Sequence, residues 1–169
     1  MKANAFEKLK VVIIDDNKHM RHLLHAILSA FGVKNVHECP SGKSGFITVQ
    51  AIKPDFVLTD FAMLPVDGVE FVKMVRSLHG PIAWVPIIMI TGHGERHYIE
   101  RARDAGITEL LCKPISPRDL YSRIVEVVER PRPFVKSPVF VGPDRRRKKI
   151  EGLFPKRRAA DRAAELEFR

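Results

Sequence analysis

The chain has 169 residues, 45% of them apolar, which is enough for one domain of ordinary size plus an extension. Its longest aliphatic blocks, at 11–14 and 86–90, are far shorter than the roughly 18 apolar residues that a membrane-spanning helix needs. Residues 1–10 lack an apolar core of secretory length, and the two cysteines, Cys39 and Cys112, are too few for a disulfide framework. We therefore expect a cytoplasmic protein with no membrane span.

The net charge of +9 lies mostly in the last part of the chain. Residues 1–130 carry 17 Lys and Arg against 15 Asp and Glu, whereas residues 131–169 carry 12 against 5. Five prolines also fall in this second segment, and proline removes a backbone donor and disfavours helix at the residue before it. We predict a folded domain over 1–130 and a basic, Pro-rich, flexible tail over 131–169, without regular structure before about Ala159.

Upstream of the tail, short apolar runs alternate with helical patterns. Residues 11–14 form a β-branched run typical of a strand that is buried on both faces. Apolar residues then recur at helical spacing from Met20 to Phe31, and Gly32 ends that helix. The same alternation predicts further strands at 35–38, 56–58, 87–90 and 110–112, and further helices at 41–52, 69–75, 98–104 and 120–128. Five successive βα units predict an α/β fold with a parallel sheet.

Four of the predicted strands end in residues suited to phosphate chemistry. Asp15 and Asp16 end the first strand, Asp60 the third, Thr91 the fourth and Lys113 the fifth. Ligands of parallel α/β sheets gather at the carboxyl ends of the strands. Carboxylates about 4 Å apart repel each other by up to roughly 4 kcal/mol at an effective dielectric of 20, so such a cluster protonates or binds a cation. Oxygen ligands favour Mg²⁺, which predicts phosphoryl transfer with one carboxylate as the nucleophile.

These residues, with Asp67-Gly68 and Pro114, occur in an order and spacing that resembles the receiver domain of bacterial two-component response regulators. The resemblance covers about residues 9–130. It implies a doubly wound, flavodoxin-like, five-stranded parallel sheet of order 2-1-3-4-5, followed here by a Pro/Arg-rich C-terminal extension. It also implies that Asp60 is the phosphoacceptor, that Thr91 is a switch hydroxyl and that Lys113 pairs with phosphoryl oxygens.

The resemblance further implies a magnesium site. Asp15 and Asp16 match the acidic pair that holds Mg²⁺ in the family, together with Asp60 and the backbone carbonyl of Ala62. The implied partners are a sensor histidine kinase or a phosphotransfer protein, which donates the phosphoryl group, and a downstream protein target. We expect a phosphoacceptor protein with intrinsic autophosphorylation and autodephosphorylation chemistry, and not an enzyme in the usual sense. Phosphorylation of such a protein is also compatible with formation of a homodimer.

Three positions depart from the family pattern. Leu110 stands where the family usually has an aromatic residue that swings inward on phosphorylation. Leu64 stands where a proline is usual, with Pro65 one place later, so we expect a different turn in this loop. Ala62 replaces a residue that is often polar, and its side chain cannot orient an attacking water. We therefore expect an altered dephosphorylation rate.

Two alternative functions remain open from the sequence. The basic runs at 145–149 and 156–158 allow a regulator whose tail binds nucleic acid, although no helix-turn-helix pattern accompanies them. The protein could also be a phosphorelay intermediate, which passes its phosphoryl group onward. An aspartyl phosphatase is less favoured, because Ala62 occupies the position of the second acid/base Asp that such an enzyme needs.

Overall fold

The computed structural model describes residues 6–92, 94–137 and 140–144. The elements, in chain order, are β1 (Lys10–Ile14), α1 (Lys18–Ala30), β2 (Asn35–Cys39), α2 (Gly42–Ile52), β3 (Phe56–Asp60), α3 (Gly68–Arg76), a short 3-10 helix (Pro81–Trp84), β4 (Ile87–Thr91), α4 (Arg96–Ala105), β5 (Glu109–Cys112), α5 (Pro117–Glu129), β6 (Phe134–Ser137) and β7 (Phe140–Pro143). No helix in this part of the chain is long and apolar enough to cross a membrane.

The central sheet confirms the predicted fold. Five parallel strands lie in the order β2-β1-β3-β4-β5. Ile14 pairs with Thr59 across β1 and β3, and Thr91 pairs with Cys112 across β4 and β5. This register brings the carboxyl ends of the strands to one edge of the sheet, where the residues that follow each strand can meet.

Helices cover both faces of the sheet because successive strand residues point to opposite sides. Val12 and Ile14 pack into the core beneath α2, α3 and α4. Val11 and Ile13 pack into the second core, beneath α1 and α5. All four of these side chains are fully buried, as expected for a central parallel strand. The two cores hold the sheet rigidly and thereby fix the positions of the strand ends.

The segment after α5 corrects the prediction that no regular structure precedes about Ala159. β6 and β7 form an antiparallel hairpin in which Phe134 pairs with Pro143. Pro131 and Pro133 precede β6, and Pro143 ends β7, so these prolines flank the strands and do not interrupt them. The rest of the tail, including Ala159 and the basic runs at 145–149 and 156–158, lies outside the described residues.

The hairpin packs directly against the end of α4. Gly106, which ends that helix with a φ of 99°, has so little space that a Cβ atom there would lie 2.5 Å from the carbonyl oxygen of Val141. A Cβ on Gly142 would lie 2.9 Å from the Cα atom of Gly106. Beside this contact, Arg132 forms an ion pair with Glu109, which is 7% exposed. The hairpin is therefore part of the folded domain.

Arg76 is buried between the hairpin and the sheet, at the end of α3. Its guanidinium donates hydrogen bonds to the carbonyl oxygens of Gly106 (3.0 Å), Ala83 (2.8 Å) and Val85 (2.9 Å). Its Cζ atom lies 5.1 Å from the ring centroid of Phe134 in β6. Burial lowers the pKa of Arg76 to about 9, which leaves the guanidinium charged at neutral pH. One side chain thus joins α3, α4 and the hairpin.

Candidate functional site

Two buried carboxylates and one ammonium group converge at the carboxyl edge of the sheet. The Nζ atom of Lys113 lies 2.6 Å from Oδ1 of Asp60 and 3.9 Å from Oδ2 of Asp15. Asp15 is 1% exposed and Asp60 is 5% exposed. A lysine here offsets part of the repulsion between two carboxylates held away from water. The structure therefore brings together three of the residues that the sequence assigned to the site.

The backbone around Asp60 is shaped to present its carboxylate. Oδ1 contacts Lys113, while Oδ2 accepts a hydrogen bond of 2.9 Å from the amide of Ala62. α3 begins close behind, because Gly68 has no side chain: a Cβ atom there would lie 2.2 Å from the carbonyl oxygen of Asp60. Asp67 caps α3 by accepting a hydrogen bond of 2.7 Å from the amide of Glu70. The motif Asp67-Gly68 thus lets α3 approach the end of β3.

Asp15 has one oxygen that accepts a hydrogen bond and one that accepts none from the described residues, although the Lys113 ammonium lies 3.9 Å from the second. Oδ1 accepts a hydrogen bond of 2.8 Å from the amide of Asn17. Oδ2 is buried and has no hydrogen-bond partner among the described residues. Burial is the main cause that raises the pKa of Asp15, and the nearby carboxylates of Asp60 and Asp16 raise it further. A buried carboxylate oxygen in this state fits a bound cation, which would satisfy it and relieve the repulsion.

The remaining predicted residues lie around this centre. Thr91 is buried at the end of β4, and its carbonyl oxygen accepts a hydrogen bond of 2.7 Å from the amide of Lys113. Asp16 and Ala62 are exposed. Across residues 6–92, 94–137 and 140–144, no three His, Cys, Asp or Glu side chains are grouped so that they could hold a metal ion. The full ligand set of Asp15, Asp16, Asp60 and the Ala62 carbonyl therefore stays a prediction.

The positions that depart from the family pattern lie in different surroundings. Leu64 is 84% exposed, and its bond to Pro65 is cis, as is the bond between Lys113 and Pro114. Leu110 is partly buried against the core beneath α2, α3 and α4. An aromatic pair lies beside Asp60 instead: the ring of Phe61 meets the ring of Tyr98, on α4, edge-on at 5.3 Å. This pair connects the residue after Asp60 to α4.

Sequence reasoning missed two residues that hold the acidic pair. Asn17 caps α1, with its side chain accepting hydrogen bonds from the amides of His19 and Met20. The guanidinium of Arg21 donates hydrogen bonds to the carbonyl oxygens of Asp15 (2.8 Å) and Asp16 (3.3 Å). Asn17 could have been found as an N-cap before an apolar periodic segment, but the contact of Arg21 depends on its side-chain direction.

Comparisons with known proteins agree on one family. A family model described as the response regulator receiver domain matches residues 11–125. Chemotaxis protein CheY-3 of Vibrio cholerae serotype O1 is 28% identical over 130 residues, which are 77% of this chain and 99% of CheY-3. The solved structure of chemotaxis response regulator CheY4 of Vibrio cholerae is 27% identical with a TM-score of 0.66, over 71% of this chain and 98% of that chain.

A more distant solved structure is similar in fold alone. The CheX–CheY–BeF3–Mg complex from Borrelia burgdorferi is 20% identical with a TM-score of 0.65, over 70% of this chain and 88% of that chain.

The family match contains all of the site residues described above, whereas the β6–β7 hairpin lies beyond its end at residue 125. The chain therefore belongs to the response regulator receiver domain family and has the two-component signalling role of such domains.

Proposed function

We propose that the protein is a signalling switch that accepts a phosphoryl group on Asp60 from a histidine kinase or a phosphotransfer protein. The observation that carries the proposal is the environment of Asp60. Its carboxylate is 5% exposed, and an ammonium at 2.6 Å and a backbone amide at 2.9 Å lie against its two oxygens. Positive groups fixed in this way can stabilise the charge that develops on a transferring phosphoryl group.

The chemistry follows from these contacts. One Asp60 oxygen attacks the phosphorus, a new O–P bond forms, and the bond from phosphorus to the donor's ring nitrogen breaks. The electron pair of that bond stays on the nitrogen, so the donor leaves as a neutral imidazole after it takes a proton. The ammonium of Lys113 and the amide of Ala62 then face the phosphoryl oxygens. The product is an acyl phosphate on Asp60.

Magnesium belongs to this proposal because Asp15 offers it a buried carboxylate oxygen. Oδ2 of Asp15 accepts no hydrogen bond within the described part of the chain, and Asp60, the exposed Asp16 and the Ala62 carbonyl are the other ligands expected from the sequence. When bound, the ion would neutralise phosphoryl and carboxylate charge. The name of the Borrelia burgdorferi complex includes both magnesium and beryllofluoride. In this protein, Asp15 and Asp16 would bind and orient the magnesium ion, while Asp60 remains the nucleophile.

The output of the switch would be a change of protein contacts. Thr91 is buried at the end of β4, directly before the segment that leads into α4. A phosphoryl group on Asp60 would attract the Thr91 hydroxyl and shift an existing equilibrium between two arrangements of this segment. The phosphorylated form would then bind a downstream protein or a second copy of the chain. The protein would act as a phosphoacceptor and not as an enzyme with an external substrate.

The test is phosphorylation of the purified chain by a small phosphodonor with Mg²⁺ present. Asp60→Asn removes the nucleophile but keeps the volume, and should abolish incorporation of phosphate as measured by intact mass. Asp104→Asn is a matched control, because Asp104 is an exposed carboxylate on α4 that contacts Arg103. The control should incorporate as much phosphate as the unaltered chain. Phosphate that persists in the Asp60→Asn protein would overturn the assignment.

A further inference from the structure

Arg21 lies behind the acidic pair, on the first turns of α1. One nitrogen of its guanidinium donates hydrogen bonds to two consecutive carbonyl oxygens, those of Asp15 at 2.8 Å and Asp16 at 3.3 Å. Its side chain is only 13% exposed. A charged donor shared by two adjacent peptide groups restricts the rotation of both. Hydrogen bonds from charged groups are also stronger than those between neutral groups. Arg21 therefore fixes the backbone from which both acidic side chains project.

A second group lies beside the guanidinium and forms an ion pair with it, although the buried Nε atom donates no hydrogen bond to any residue that the structure describes. The Nε atom of Arg21 lies 3.5 Å from Oε2 of Glu38, a residue of β2. Glu38 is also contacted by α1 through Nδ1 of His25, at 2.7 Å from Oε1. Because β2 pairs with β1, this ion pair links the loop after β1 to the neighbouring strand. The position of Arg21 is thus set by the sheet as well as by its own helix.

We propose that Arg21 is a positioning residue for magnesium binding by Asp15 and Asp16. Its guanidinium contacts the backbone carbonyl oxygens of Asp15 and Asp16 and not the carboxylate oxygens that would bind the ion. Arg21 therefore acts on the two carboxylates through their backbone. This inference rests on the proposed function, since it requires that the acidic pair binds Mg²⁺. Groups that hydrogen-bond metal-ligating side chains directly typically change metal affinity by about 10–100-fold when they are removed, and Arg21, which holds the adjoining backbone, should act at the lower end of this range.

The direction of the change in Mg²⁺ affinity distinguishes a positioning role of Arg21 from an effect of its charge alone. A positive guanidinium close to the site repels a divalent cation, so its removal by charge alone would strengthen Mg²⁺ binding. Loss of positioning would weaken binding, because the carboxylates would have to be ordered when the ion binds. If Arg21 positions the pair, the second effect exceeds the first, and Arg21→Gln weakens binding.

The experiment measures Mg²⁺ affinity of the full chain by isothermal titration calorimetry in phosphate-free buffer. Arg21→Gln should raise the dissociation constant for Mg²⁺ about 10-fold or more. Phosphate incorporation by this variant should be slow at low Mg²⁺ and should recover at saturating Mg²⁺, because Asp60 and Lys113 are unchanged. Lys18→Gln is the matched control: Lys18 is an exposed cation at the start of the same helix, and its variant should bind Mg²⁺ as tightly as the unaltered chain or more tightly.

The outcomes distinguish this inference from the proposed function. If Arg21→Gln binds Mg²⁺ as tightly as the unaltered chain, or more tightly, the positioning role is overturned. An incorporation defect that persists at saturating Mg²⁺ overturns it too. If Arg21→Gln does not fold, Arg21→Lys keeps the charge without the two-carbonyl geometry, and should show the same direction of change. An unaltered chain that binds no Mg²⁺ and takes up no phosphate instead overturns the proposed function on which the inference rests.

Discussion

Alanine at Gly106 should destabilise the protein more than alanine at Gly32. Both glycines follow the end of a helix with left-handed backbone, at φ values of 99° and 91°. A Cβ atom at Gly32 would meet nothing within 4 Å, whereas one at Gly106 would lie 2.5 Å from the carbonyl oxygen of Val141 in the hairpin. The two substitutions therefore share the same conformational penalty and differ in their contacts, of which that with β7 is severe and that with the Arg76 side chain, at 3.4 Å, is close to ordinary van der Waals distance.

The expected magnitudes follow from these two terms. An alanine in the left-handed region costs about 1–2 kcal/mol, and this should be the whole effect of Gly32→Ala. Overpacking against a backbone carbonyl that cannot move cheaply adds roughly 1–3 kcal/mol for Gly106→Ala. At about 2–4 °C per kcal/mol for a chain of this length, Gly106→Ala should melt roughly 6 °C below Gly32→Ala.

Thermal and urea unfolding of both variants provide the comparison. The same pair should then be measured in a chain truncated after Arg130, which keeps all of α5 and the family match but lacks the hairpin. Without Val141, the extra penalty at Gly106 should disappear and the two variants should melt together. Equal penalties in the full chain, or an excess at Gly106 that survives truncation, would show that the hairpin does not pack against α4 as described.

Three further predictions address the site and its support. Arg76→Met leaves three buried carbonyl oxygens without their donor, so the free energy of unfolding in urea should fall by about 3 kcal/mol or more, with Arg76→Lys intermediate. Because burial raises the pKa of Asp15, its ionisation makes the folded protein less stable as the pH rises from the ordinary value of 3.8 through the raised one. Asp15→Asn should therefore raise the free energy of unfolding at neutral pH without Mg²⁺ and flatten this pH dependence; a loss of stability at neutral pH would contradict it. Ala62→Asn adds an amide that can orient water beside Asp60, so loss of phosphate from the labelled protein should be faster by roughly 10-fold, and an unchanged rate would count against a role for this position.

Much of the site could be predicted from the sequence because its residues are tied to strand ends. A buried parallel strand is a short run of apolar residues, and the polar residue directly after it has only one edge of the sheet to occupy. Asp60 is the last residue of β3, and Lys113 directly follows β5; the structure places their side chains 2.6 Å apart. The local sequence pattern was sufficient to predict these site residues, because the fold fixes the order of the strands and so brings their carboxyl ends together.

The same reasoning did not distinguish the two members of the acidic pair. Asp15 and Asp16 are adjacent and chemically alike, yet Asp15 is buried with one oxygen that accepts no hydrogen bond from the residues described, and Asp16 is exposed. Successive residues at a strand end face different surroundings, and the surroundings come from other elements. Their separate environments, and the hold of Arg21 on both carbonyls, depend on the packing of α1 against β1 and β2.

The sequence alone determined the apolar alternation, the α/β class and the identity of the residues at the strand ends, since each depends on neighbours a few positions away. Only the tertiary structure decided that residues 134–137 and 140–143 form paired strands. A two-stranded hairpin is at best marginally stable in water by itself, and prolines and charge make this one look unstructured in the sequence. Its strands form because Gly106 leaves room for them, and because Arg76 and Glu109, far away in the chain, supply partners for Phe134 and Arg132.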